Sequence, residues 1–333
     1  MINLSFKAFL SVVLATSMSM LAGAYMEDKH EIIVIGHRGA SGYRPEHTLM
    51  SYELAIQQGV DFIEPDLVLT KDGKLVARHD MYLSGSTDVS SRPEFAAKKR
   101  TLEGHTDWFA QDFTLDEIET LKTVQPRLTR GQMYDGMEPI PTLEDIVTLL
   151  KQHQKQGKAV GVYIELKHPS IMEAIVPDIA EKLAVELNSI QKMGFPVYFQ
   201  CFDADFLLKI SSYTSVPLIY LVEGKPDADG HYYLNEDLSH YFGKFAGFGL
   251  YKALLINKDG SLNNVVDTIH NGGGLVHVWT VRDDNVPKMF NSVQQEVKFL
   301  FEAGVDGIFT DFPDTAIAAR ESKRLTDKGR LDD

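Results

Sequence analysis

Short apolar runs recur along the chain and alternate with longer stretches whose apolar residues fall three and four positions apart. The runs at 32–35, 60–69, 75–78, 160–165, 197–200, 218–222, 247–251, 275–279 and 307–310 have the length and the Val, Ile, Phe and Tyr content of strands. Pro45 and Glu46 open a helix that is expected to reach Gln58 and stop on Gly59. Thr142 caps another, which carries Leu143, Ile146, Val147 and Leu150 at helical spacing. Further helices are expected over 171–193, 204–212, 262–271, 286–303 and 315–322.

Strands that alternate with helices imply a parallel sheet. About eight such units in roughly 300 residues fit an α/β fold, the (β/α)₈ TIM barrel, here spanning 25–322. A doubly wound sheet is the alternative, but no G-x-G-x-x-G follows the first strand. Two stretches break the rhythm. Residues 80–140 hold a capping box from Thr114 to Glu117 and the aromatics Trp108 and Phe109, and a connection that long is expected to form a cap over the site. A smaller insertion on the same face is expected over 223–244, and the charged residues 323–333 read as a solvated tail.

Ionisable residues cluster on one side of these strands. Their C-terminal ends carry His37 and Arg38, Glu64 and Asp66, His79, Glu165 and Lys167, Gln200, Glu223, Trp279 and Arg282, and Asp311. In a (β/α)₈ barrel those ends form one mouth. Glu64 and Asp66 are two apart, so a strand points both to one face, above Phe62 and Val60. Pro65 between them cannot donate to a ladder, which puts the pair where a strand yields to a bulge or loop. Carboxylates so close repel unless a cation lies between them, and all-oxygen donors suit a hard divalent metal. Glu165 in V-G-V-Y-I-E-L-K is the natural third ligand, and Lys167 shares its face, placed to hold a substrate anion. Taken singly these residues are ordinary: a strand-end histidine is usually packed, E-x-D is usually solvated, and Asp311 in F-T-D-F-P-D reads as the N-cap of the last helix. Two histidines bracketing an acidic pair within 32–80 are less ordinary. Three carboxylates and two histidines, without a Cys-rich or H-E-x-x-H pattern, suit phosphate-ester chemistry. One histidine would take a proton from the attacking hydroxyl and the other give one to the leaving oxygen, while Arg38 and Lys167 hold phosphate oxygens.

Composition bears on compartment and partners. Lys7, the apolar run 8–15 and Ala22-Gly23-Ala24 make 1–24 an export signal with cleavage expected after Ala24. Ser11, Thr16, Ser17 and Ser19 interrupt it too often for stable membrane insertion. The single cysteine, Cys201, sits in V-Y-F-Q-C-F as a buried small hydrophobe. A chain of this size buries enough core without disulfides, which favours a bacterial periplasm as destination. The formal charge of −14 argues against nucleic acid as a partner, while a metal and local Arg or Lys can still draw a small anion into a cleft. Nothing in the sequence specifies an oligomeric state.

The motifs H-R-G-A-S-G-Y-R-P-E-H-T, E-P-D-L-V-L-T-K-D-G-K-L-V-A-R-H-D, I-E-L-K, Q-C-F-D, V-W-T-V-R and G-V-D-G-I-F-T-D-F-P-D resemble those of glycerophosphodiester phosphodiesterases, most closely the periplasmic branch, in family order from Ile32 to Asp314. The resemblance implies a TIM barrel that hydrolyses deacylated phospholipids to an alcohol and sn-glycerol 3-phosphate. It makes His37 and His79 the acid/base pair, Glu64, Asp66 and Glu165 the metal ligands, and Arg38 and Lys167 the phosphate contacts. Trp279 would line the glycerol pocket, and the implied ion is Ca²⁺, with Mg²⁺ the alternative. His47 stands where many relatives carry Asn. A lysophospholipase D-like activity would need an apolar groove, which the charges Lys98, Lys99, Arg100, Glu103, Asp107 and Asp112 disfavour in 80–140. A non-catalytic binding protein should have lost one of the acid/base, metal or phosphate residues, and all are present.

Overall fold

A computed structural model of the chain describes residues 31–329; the expected export signal lies outside them. Eight parallel strand positions close into a barrel. They are β1 (Ile33–His37), then β2 (Phe62–Glu64) continued by β3 (Asp66–Leu69), with β4 (Leu75–Ala77) returning antiparallel to β3. After the segment 80–140, which holds the hairpin β5 (Arg100–Leu102) and β6 (His105–Asp107), come β7 (Gly161–Leu166), β8 (Val197–Cys201) and β9 (Leu218–Val222). A small hairpin, β10 (Lys225–Pro226) with β11 (Tyr232–Tyr233), precedes β12 (Gly247–Tyr251), β13 (Leu275–Val281) and β14 (Gly307–Thr310). β1 pairs with both β2 and β14, which closes the ring. The expected TIM barrel is therefore present.

Proline sets the departures from expectation. The run 60–69 is two strands, because Pro65 has no N–H for the ladder; its carbonyl still accepts from Glu165 N at 3.0 Å. The helix expected from Pro45 starts later, as α1 (Leu49–Gln58), because Thr48 is extended and its side chain accepts from Ser51 N. Gly59 ends it as expected, at φ 96°. Besides α2 (Leu115–Ile118) in the inserted segment and α3 (Leu143–Lys155) after it, the helix expected over 171–193 divides into α4 (Pro169–Ile175) and α5 (Ile179–Lys192). Val176 there is extended because Pro177 follows it. After α6 (Ala204–Ile210) and α7 (Val265–Asn271), Pro287 falls in a loop and Ser292 caps α8 (Val293–Glu302), so that helix begins later than expected. α9 (Pro313–Gly329) continues through residues read as a tail.

The segment 80–140 contributes its own apolar residues to the core. Val89, Phe95, Trp108, Phe109, Phe113 and Ile118 are buried in the main core, and Trp108 donates its indole N–H to Phe95 O at 2.6 Å. Enough apolar surface is buried there to hold the segment on the barrel. Among the described residues no helix is long and apolar enough to cross a membrane.

Candidate active site

A second, smaller apolar cluster fills the barrel interior: Ile35, Phe62, Tyr163, Ile219 and Phe309, one from each of five strands. Because side chains alternate along a strand, the residue two positions on faces the same way, one layer higher. That rule sends His37 up from Ile35, Glu64 from Phe62, Glu165 from Tyr163 and Asp311 from Phe309. Register aligns the layer: His37 lies opposite Glu64, Asp66 opposite Glu165, Glu165 opposite Gln200, and Tyr251 opposite Trp279. The site is thus a polar rim on an aromatic floor. Val60, expected on that face, packs instead in the outer core.

The rim surrounds a cavity of about 110 Å³ lined by His37, Arg38, Glu64, His79, Glu165, Lys167, Gln200, Phe202, Tyr251, Trp279 and Arg282, among others. Ligand atoms of Glu64, Asp66 and Glu165 lie within 4.8 Å of one another, and all three residues are buried. Burial, with the neighbouring Asp66 and Glu165, pushes Glu64 well above the usual carboxylate range. Burial also pushes Glu165 up, to about 8, even though Lys167 Nζ lies 2.6 Å from its Oε1. Asp66 is held well below its usual value against burial, chiefly by the Lys167 ammonium and by His47, whose Nε2 is 2.9 Å from Asp66 Oδ2. Asp66 Oδ1 is buried with no hydrogen-bond partner, its nearest cation being Lys167 Nζ at 3.5 Å. Gln200 donates to Glu64 Oε1 at 3.2 Å, while its own Oε1 is also buried and unpartnered. Three crowded acids and unpartnered oxygens together fit a divalent cation that takes oxygen ligands.

The two histidines are wired differently. His37 Nδ1 lies 2.6 Å from Asp311 Oδ1, and Arg38 Nε, always a donor, lies 3.3 Å from His37 Nε2. Asp311 is held well below its usual value despite burial, by His37, Arg282 and Arg130, so it accepts and Nδ1 carries the proton. Burial and the Arg38 charge push His37 down to about 3, leaving a neutral ring whose Nε2 lone pair accepts from Arg38 Nε. His79 enters from beyond β4; its Nδ1 lies 2.8 Å from Asp80 Oδ1, and its side chain is 34% exposed. Burial, Arg38 and Lys167 lower its pKa.

Arg38 adopts φ 58°, followed by Gly39 at φ 84°, a left-handed turn that lets Arg38 N donate to Glu64 Oε2 at 2.8 Å. Its guanidinium meets Glu46 at 3.0 Å, and Lys167 Nζ lies over the Phe202 ring. On the opposite wall Trp279 donates its indole N–H to Gly249 O at 2.9 Å and packs between Phe202 and Tyr251.

The structure brings His37, Arg38, Glu64, His79, Glu165, Lys167 and Trp279 to one cavity, with Asp66 beside Glu64 and Glu165. Asp311 is no helix cap: it is buried and bound to His37, Arg130 and Arg282. Glu223 stays exposed. No residue of 80–140 lines the cavity, yet Arg130 from that segment reaches Asp311 in the rim layer. Nothing local in the sequence marks Arg130; its partners lie 154 and 181 positions away.

The chain matches the family model described as the glycerophosphoryl diester phosphodiesterase family over residues 37–315. Glycerophosphodiester phosphodiesterases of Haemophilus influenzae and Arabidopsis thaliana are 34% and 31% identical to it, the alignments covering 87% and 84% of this chain and 90% and 83% of those proteins. A solved structure of an Oleispira antarctica phosphodiesterase in complex with the product sn-glycerol-3-phosphate is 25% identical, with a TM-score of 0.61, covering 87% of this chain and 96% of that one. A structure titled as a putative glycerophosphoryl diester phosphodiesterase of Silicibacter pomeroyi shares the fold, with a TM-score of 0.65 over 88% of this chain and 94% of that one, at 22% identity.

Proposed function

The chain belongs to the glycerophosphoryl diester phosphodiesterase family, and from that premise we propose that it hydrolyses glycerophosphodiesters to an alcohol and sn-glycerol 3-phosphate by histidine acid/base catalysis beside a bound divalent cation. One observation carries this reading: two differently wired histidines line one cavity with Glu64 and Glu165, and Asp66 completes the buried acidic trio beside it. Glu64, Asp66 and Glu165 would hold the cation; the resemblance to the periplasmic branch favours Ca²⁺ over Mg²⁺. When bound, it supplies Lewis acidity toward a non-bridging phosphate oxygen.

The remaining steps belong to side chains. Arg38, through its planar fork, and Lys167, as a point charge, hold the other phosphate oxygens. His37 takes the proton from the attacking hydroxyl at Nε2, since its Nδ1 is committed to Asp311. His79 gives a proton to the leaving oxygen; the anionic phosphodiester favours its charged form once substrate is bound, offsetting Arg38 and Lys167. Trp279, Phe202 and Tyr251 offer an apolar wall to the glycerol carbons, and Trp279 is the substrate contact among them. The cavity is small enough to grip the phosphoglycerol half while leaving the alcohol outside. Residues 1–24 support export to a periplasm as the setting.

Incubation of purified protein with glycerophosphocholine tests the reading. Release of glycerol 3-phosphate that chelation stops and Ca²⁺ restores is expected; an intact diester at saturating Ca²⁺ and Mg²⁺ would overturn it.

A further inference from the structure

Arg130 belongs to the inserted segment, yet its side chain is 4% exposed and every arm of its guanidinium is committed. Nη2 donates to Asp311 Oδ2 at 2.6 Å and to Asp284 Oδ1 at 3.1 Å, Nε donates to Asp284 Oδ2 at 2.8 Å, and Nη1 donates to Ser41 O at 3.0 Å. Arg282 Nε adds a second contact to Asp311 Oδ2, at 2.8 Å. The other Asp311 oxygen holds His37 Nδ1. The Ser41 hydroxyl donates to His37 O at 2.9 Å, so the same guanidinium also braces the turn that follows the histidine. A carboxylate with one oxygen clamped by two guanidiniums cannot rotate, and its second oxygen then fixes the plane and tautomer of the imidazole it holds.

We propose that Arg130 is a positioning residue of the reaction: from the inserted segment it clamps Asp311, and through Asp311 it aims Nε2 of His37 at the attacking hydroxyl. The segment 80–140 thereby serves the chemistry from the mouth side of the barrel, where Ser41, Asp284 and Asp311 follow the C-terminal ends of β1, β13 and β14. This rests on the assignment of His37 as proton acceptor. Arg130 touches no substrate, so its removal should slow turnover without weakening binding.

The test is a mutant cycle on full-length protein with glycerophosphocholine, recording kcat, KM, bound Ca²⁺ and melting temperature. Arg130→Gln should lower kcat about 10–100-fold with KM within about twofold and Ca²⁺ still bound, the scale usual for a residue that orients another. Arg130→Lys keeps the charge but loses the fork, and should fall in between. In a His37→Ala background Arg130→Gln should remove no more than about a further twofold, because the two act as one unit. A folded Arg130→Gln with wild-type kcat, or one that costs its full factor again in the His37→Ala background, would overturn the proposal. Should Arg130→Gln fail to fold, Arg130→Lys runs through the same cycle. Full kcat in His37→Ala overturns the acid/base reading and this proposal with it; an inactive His37→Ala beside an intact Arg130→Gln overturns this proposal alone.

Discussion

Asp66 and Glu165 stand opposite each other in register on β3 and β7, with Glu64 completing a trio of buried acids. In the metal-free protein that trio is a source of instability. Glu165 is pushed up to about 8 and Glu64 is also raised, so across that window the folded state binds protons that the unfolded state has lost. A raised folded pKa means stability is greatest below the unfolded value and declines as pH rises toward the folded one. The metal-free protein should therefore melt at progressively lower temperature between about pH 5 and pH 8. Added Ca²⁺ should raise the melting temperature most at the upper end. Glu165→Gln should flatten the decline and abolish the Ca²⁺ increment, which differential scanning calorimetry reads directly. Asp66→Asn should lower kcat/KM by about 10²–10³, the scale of losing one preorganised electrostatic partner.

Different wiring of His37 and His79 predicts different responses to the leaving group. Either alanine variant should lose about 10²–10⁴ in kcat on glycerophosphocholine while keeping its fold. A glycerophosphodiester of p-nitrophenol leaves without help from a proton. His79→Ala should recover most of its loss on that substrate and His37→Ala should not. Recovery by His37→Ala instead would exchange the two roles.

Trp279 is packed against Phe202 and Tyr251 and tethered to Gly249 O, so it forms a fixed wall rather than a mobile lid. If that wall serves the glycerol half, Trp279→Leu should raise KM up to about tenfold, the worth of one aromatic contact. The rise should be equal for choline, ethanolamine and glycerol diesters. A rise confined to the choline diester would instead mark the indole as a cation–π surface for the alcohol.

What could be read in the sequence was what a strand enforces. Period two places His37, Glu64 and Glu165 above the interior layer, and the apolar runs that carry them are visible without coordinates. Pro65 announced a break, and the structure has one. Asp311 was misread because an aspartate two residues before Pro313 looks like a cap, whether it bonds a backbone N–H or a distant imidazole. Helix starts slipped for a related reason: Pro45 is compatible with a first turn, and only the extended Thr48 shows that α1 begins after it. Arg130 was invisible, since its worth lies in partners brought near by closure of the barrel. Strand periodicity is local; ion-pair networks are not.

His277 offers a test of the barrel interior that does not involve the reaction. It is buried beneath Trp279, its Nδ1 lies 2.7 Å from Tyr163 OH, and burial pushes it down to about 4. Its folded pKa is below the unfolded value of 6.5, so between those values the unfolded chain binds the extra proton. The stability it contributes is fully present above pH 6.5 and is lost as pH falls toward 4, amounting to about 2 kcal/mol by pH 5. His47, lowered to about 4, and His37, lowered to about 3, push in the same direction. With Ca²⁺ saturating, so that the acid trio takes up no protons, urea unfolding of the wild type should therefore show a clear loss of stability between pH 7.5 and pH 5. In His277→Gln the amide can still meet Tyr163 OH but carries no titrating proton. That variant should be somewhat weaker at pH 7.5, from lost ring contacts with Tyr163 and Tyr198, yet lose about 2 kcal/mol less on acidification. An unchanged acid-induced loss in His277→Gln would mean that the imidazole is already protonated, or already solvated, inside the folded barrel.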